Sequence, residues 1–124
     1  MIYFFTGIFV FSGWILSPAP TLATPGPETG KALFIKKCQP CHGERGDGKT
    51  FAANVLDPPP KNFTSPQTKK KLTIERMIRS VTQGRPGTAM MPWKDVLSPD
   101  DINAVVHYIR KELMGMEETT DEHR

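Results

Sequence analysis

Apolar side chains recur along the chain in two kinds of pattern: one unbroken run near the N-terminus and three amphipathic stretches beyond it. The run, Ile2 to Leu16, includes Tyr3, Phe4, Phe5, Phe9, Phe11 and Trp14, and no charged side chain occurs between Met1 and Ala23. It stops at Pro18 and Pro20, with small residues at Thr21 and Ala23, the layout of a secretory signal peptide cleaved after Ala23 or nearby. With roughly 15 apolar residues it falls short of the about 20 that a bilayer core requires, so an uncleaved membrane anchor is the alternative reading. The segment "ETGKALFIKKC" places Leu33, Phe34 and Lys37 or Cys38 at helical spacing, and predicts a helix that ends by Pro40, because proline disfavours helical geometry in the residue before it. "LTIERMIRSVTQG" predicts a second helix, with Thr73 as N-cap, Ile74, Met77, Ile78 and Val81 on one face, and Gly84 closing it. The third is marked by Ser98 as N-cap, Pro99 in the first position, and Asp100 and Asp101 at the positive end of the dipole. Leu97 can staple onto Ile102, and the buried stripe reads Ile102, Val105, Val106, Ile109 and Leu113.

From Gly43 to Lys71 no period is visible. Gly43, Gly46, Gly48, the run Pro58-Pro59-Pro60 and Pro66 interrupt both helix and strand, and a stretch of that length inside a small domain normally encloses something or serves a function. No strand and no internal repeat is predicted. Residues 24–29, rich in Pro and Gly, read as a linker, residues 30–114 as the folded domain and residues 115–124 as an acidic tail. Three amphipathic helices joined by long loops give a thin core. Burying an aliphatic side chain contributes about 1.5–3 kcal/mol, whereas ordering each residue's backbone costs about 1–2 kcal/mol. A chain of this size therefore calls for a disulfide, a metal or a cofactor in its core.

Charge is unevenly spread. Glu112 to Arg124 holds five acids and one base, so that end carries −4, and the rest carries +3 − (−4) = +7. A basic body steers acidic partners. Nucleic acid is a poor match for an exported chain without a recognised binding motif, and a membrane enters only if the leader is retained.

The two cysteines lie together in Cys38-Gln39-Pro40-Cys41-His42. A redox dithiol of the thioredoxin kind would need a βαβ setting that the pattern does not predict. Zinc would need a fourth ligand, and His107 and His123 are remote in sequence. Cys-x-x-Cys-His is the attachment sequence of c-type haem: each thiol adds to a vinyl group as a thioether, and the following imidazole takes the proximal position on the iron. Thioether formation needs reduced thiols and follows export, in keeping with the leader and with a periplasmic or other exported location.

Across roughly 85 residues, from "GKALFIKKCQPCHGERGDGKT" through "LDPPPKNFT" and "VTQGRPGTAMMPW" to "LSPDDINAVVHYIRKEL", the chain resembles the class I cytochrome c family of small monohaem electron carriers. The resemblance implies an all-α fold of three main helices and long loops wrapped around one covalently bound haem c. In it the first and last helices cross with Gly30, Phe34 and Tyr108 at or near the contact. It implies axial ligation by His42 and by a methionine near the third helix, with a proline carbonyl, Pro58 or Pro59, receiving the Nδ1 proton of His42. Counting back from Trp93 and Leu97 makes Met90 that ligand; counting from the adjacent proline makes it Met91, the second choice. Met77 lies on an apolar stripe and reads as core, and His107 as a surface or packing residue. Trp93 and Phe63 read as pocket walls, and Lys69 to Lys71 as a solvated run. With both axial positions filled, no catalytic constellation is expected. The function implied is one-electron transfer to redox proteins with acidic docking surfaces. A haem subunit of a larger dehydrogenase or reductase, and a ligand-binding haem sensor, are the alternatives.

Overall fold

The computed structural model describes residues 26–117. The apolar leader and residues 118–124 of the acidic tail lie outside the described residues. Among the described residues there is no strand, and no helix is long and apolar enough to cross a membrane.

The first helical segment is built from α1 (Pro27–Leu33), a π-turn (Phe34–Cys38) and α2 (Gln39–His42). It begins inside the stretch read as linker, because Pro27 supplies the fixed φ and missing N–H that suit a first helical turn. It also runs past the expected stop at Pro40. Gln39 stays helical at φ −55°, ψ −37°, and its N–H reaches back to the Phe34 carbonyl. The wider π-turn carries the helix through the proline, and Gly43 at φ 84° ends it. Two short elements then appear in the stretch read as irregular: a 3-10 turn (Ala52–Val55) and α3 (Pro66–Lys71). The latter is capped by Ser65, whose hydroxyl accepts from Thr68 N–H at 3.2 Å.

The remaining helices follow the sequence pattern. In α4 (Ile74–Gln83) the Thr73 side chain accepts from the Arg76 N–H. In α5 (Pro99–Tyr108) Ser98 and Asp101 form a reciprocal capping box. A second π-turn (Ile109–Leu113) extends α5, with Met114 N–H bonding to the Ile109 carbonyl at 2.9 Å. This inserts one residue into the turn and advances the register. Met114, 1 % exposed, therefore takes the core position expected for Leu113, which is half-buried.

The core is one cluster: Phe34, Phe63, Met77, Val81, Leu97, Ile102, Val105, Val106, Ile109 and Met114. Its centre is the crossing of α1 and α5. A Cβ at Gly30 would collide with the Ala104 carbonyl, so only glycine allows this approach. One turn on, the Phe34 and Tyr108 rings meet at 5.6 Å, tilted by 47°. Gly30→Val should force the helices apart, costing about 3 kcal/mol. The measurement is thermal unfolding, with Tm expected to fall by more than about 10 °C.

Arg110 is the buried charged residue of the core. Its guanidinium donates to the Leu72 carbonyl at 3.1 Å, while its Nε has no hydrogen-bond partner. It ties the end of α5 to the junction between α3 and α4.

Candidate functional site

Cys38 closes the π-turn, and Cys41 and His42 lie on the next turn, so one continuous helical segment presents all three. Both thiols are free and half-buried. Burial, and secondarily the neighbouring Cys41, push the Cys38 thiol up to about 11. Redox and nucleophilic cysteines need a readily formed thiolate, so this environment disfavours a dithiol catalyst. Among the described residues no group of three or more His, Cys, Asp or Glu gathers to hold a metal ion.

His42 is fixed from several sides. Gly48 N–H donates to its carbonyl at 2.8 Å, and its ring stacks on buried Phe63 with centroids 4.7 Å apart and planes 14° apart. Its Nδ1 donates to the carbonyl of Lys61 at 3.2 Å, rather than to that of Pro58 or Pro59. The loop that carries the prolines is anchored further on, by Phe63 N–H to the Gly46 carbonyl at 2.7 Å, and this brings Lys61 under the ring. Desolvation lowers the His42 pKa below the usual imidazole value, against a smaller opposing effect of the Lys61 bond. Both features suit a neutral imidazole whose Nε2 lone pair is available to a metal. Thr50 completes the surroundings: its hydroxyl donates to the Cys41 carbonyl at 3.2 Å and accepts from Ala53 N–H at 3.0 Å.

The loop after α4 fixes the backbone at Met90. Gly84, at φ 69°, lies where any side chain would strike the backbone of Met90 to Pro92. Arg85 N–H donates to the Met90 carbonyl at 2.8 Å, Met90 N–H to the Thr88 hydroxyl at 3.1 Å, and Trp93 N–H to the Val81 carbonyl at 2.9 Å. Met90 and Trp93 are partly buried against the same apolar cluster as Cys38, whereas Met91 is 62 % exposed. Lys37 Nζ stands 5.9 Å from the Trp93 ring centroid, joining the first helical segment to this loop. Met77 is in the core, and His107 is exposed on α5. Lys70 and Lys71 are exposed and Lys69 half-buried at the end of α3.

These placements fit a flat apolar group. Leu33, Cys38, Leu72, Ile74, Ile78, Met90 and Trp93 border the core with surface left over, so the apolar layer is unfinished. A separate groove of about 480 Å³, lined in part by Lys31, Ile35, Arg45 and Glu112, includes none of Cys41, His42 or Met90. Sequence reasoning missed Lys61, Thr50 and Gly84. Of these only Gly84 left a trace, as the glycine expected to close α4.

A strandless helical fold with paired thiols and an imidazole on one turn is the arrangement of c-type cytochromes. Residues 25–109 match the family described as "Cytochrome C oxidase, cbb3-type, subunit III", and the chain belongs to that family. It is 31 % identical over 101 residues to cytochrome c55X of Stutzerimonas stutzeri, covering 77 % of this chain and 78 % of that one. Among solved structures, the KustC0563 c-type cytochrome is similar at TM-score 0.55 and 27 % identity, covering 72 % of this chain and 98 % of that one. So is a chain of the Kuenenia stuttgartiensis reducing HAO-like protein complex, at TM-score 0.56 and 28 % identity, over 82 % of this chain and 51 % of that one. The protein is thus a small all-α c-type cytochrome that carries covalently bound haem c and works in electron transfer.

Proposed function

We propose that the protein is a one-electron carrier with one haem c per chain, attached at Cys38 and Cys41 and ligated by His42 and Met90. The carrying observation is that Met90 borders the same apolar cluster as Cys38 while Met91 points into solvent. The haem supplies one-electron cycling between ferric and ferrous iron. The protein's part is positional. Cys38 and Cys41 would hold the haem through thioethers, and the Lys61 carbonyl accepts the Nδ1 proton of His42, which would leave Nε2 as a neutral donor to the iron. The Arg85–Met90 and Trp93–Val81 hydrogen bonds hold the backbone at Met90 in place. Thioether ligation by Met90 would raise the reduction potential, and the apolar border would keep water from the bound haem. Ligation by both His42 and Met90 would leave the iron no position for a substrate, and haem attachment at Cys38 and Cys41 would follow export of the chain. Residues 30–114 make the cytochrome domain. A net charge of 15 − 10 = +5 over the described residues favours encounter with acidic-surfaced partners.

The test is an absorption spectrum of the protein matured in a host with haem-attachment machinery, followed by a pyridine haemochrome assay. Two thioethers per haem are expected. Absence of covalent haem overturns the site.

A second reading, subunit of a larger oxidoreductase, draws on the similar chain within the Kuenenia complex. Co-purification with a catalytic partner at fixed stoichiometry would favour it over a free carrier.

A further inference from the structure

Two apolar side chains on the loop after the attachment turn are the most exposed large hydrophobics among the described residues: Phe51 at 88 % and Val55 at 76 %. Isolated exposed apolar residues are ordinary. These two are held together by one short turn, Ala52–Val55, whose inner residue Ala53 is 6 % exposed and anchors it to the protein. Asn54 N–H donates to the Phe51 carbonyl at 3.2 Å, and Leu56 N–H to the Ala53 carbonyl at 3.3 Å. The turn is in register with the site through Thr50, which bonds both the Cys41 carbonyl and the Ala53 N–H. Phe51, next in the chain to Thr50, is therefore an apolar projection whose backbone lies one hydrogen bond away from Cys41.

The segment that carries it differs in charge from the molecule. Residues 43–61 contain three acids, Glu44, Asp47 and Asp57, and three bases, Arg45, Lys49 and Lys61, so 3 − 3 = 0, against +5 for all described residues. Arg45 and Asp47 approach each other to 3.9 Å. An acidic docking face would find no excess of positive charge here, and an apolar one would find its match.

Building on the attachment at Cys41 proposed above, we infer that Phe51 and Val55 are the contact centre for a redox protein with an apolar, uncharged docking face. One electron leaves the ferrous centre of this chain and reduces the one-electron metal centre of the partner; no bond forms or breaks and no proton moves. Two side chains offer far less than the about 800 Å² per side of a standard stable interface, which matches the small, short-lived contacts of electron-transfer pairs. A second copy would bring the same net positive charge, +3 over the whole chain, which opposes its approach. Net charge still draws acidic-surfaced partners from a distance. Contact and steering are separable by salt, which shortens the screening length to about 4 Å near 0.5 M.

The experiment compares the reduced holoprotein with its Phe51→Ser/Val55→Ser variant by stopped flow, after a pyridine haemochrome assay of each. That assay exposes a failure of the underlying site before any kinetics are read. The oxidants are a small blue-copper protein with an apolar, uncharged face around its copper, and hexacyanoferrate(III). At high salt the variant should be about tenfold slower with the copper protein and within about twofold of the parent with hexacyanoferrate, the loss of roughly one hot-spot contact. Equal rates with the copper protein overturn the inference. So does equal slowing with both oxidants, which would place the effect at the haem. A parent dimer in sedimentation that the variant abolishes would also overturn it, making a second copy the occupant.

Discussion

Replacing Cys38 and Cys41 together by alanine is expected to yield a chain with no covalent haem and no stable fold. The core explains the size of the effect. Twelve buried hydrophobic side chains, two of them alanines, serve all of residues 26–117. Long stretches between them are irregular, and a chain of this size with so few buried apolar groups needs a further core element. The half-buried border of Leu33, Ile74, Ile78 and Trp93 would then face water instead of a porphyrin. Far-UV circular dichroism and a haemochrome assay after acid-acetone extraction provide the measurement. Cys41→Ala alone should keep one thioether, shift the haemochrome band and lower Tm. A double variant that folds with native helix content would show that the haem adds little to stability.

Met90→Ala is expected to abolish the far-red charge-transfer band of the ferric protein, with the fold retained, and to let carbon monoxide bind the ferrous form rapidly. Met91→Ala should leave both properties unchanged. The contrast follows from the Gly84 turn, which faces the Met90 carbonyl and lets Arg85 bond it, while the neighbouring side chain is 62 % exposed. The potential should fall by a large part of the roughly 0.8 V range that axial ligands span. If only Met91→Ala removes the band, the two residues exchange roles. Rapid carbon monoxide binding by the parent protein would instead favour a ligand sensor.

The helices most legible in the sequence are those where independent signals coincide. In α5 an N-cap, a first-position proline, two acids and an apolar stripe agree, and the capping box and buried face follow. The same pair of signals, Ser65-Pro66, opens α3, but without an apolar stripe behind it the proline reads only as a breaker. Both π-turns escaped a count based on 3.6 residues per turn. One moved the core from Leu113 to Met114, and the other carried a helix through Pro40, where local preference yields to packing. The proposed site divides along the same line. Cys38, Cys41 and His42 are contiguous and so can be read from spacing. The Lys61 carbonyl is 19 residues from His42 and belongs to the backbone, which leaves no mark in the choice of side chain. The separation of Met90 from Met91 depends on the direction of a loop, and that is set by Gly84 six residues earlier.

The crossing of Gly30 with Ala104 has a consequence for the order of events during synthesis. The two residues lie 104 − 30 = 74 positions apart. At the usual 5–20 residues per second the interval between them is roughly 4–15 s. Until α5 has been made, α1 lacks the helix that it crosses. A chain in which α1 and α5 have not yet closed keeps the thiols of Cys38 and Cys41 accessible, and closure of the last helix marks the end of that interval.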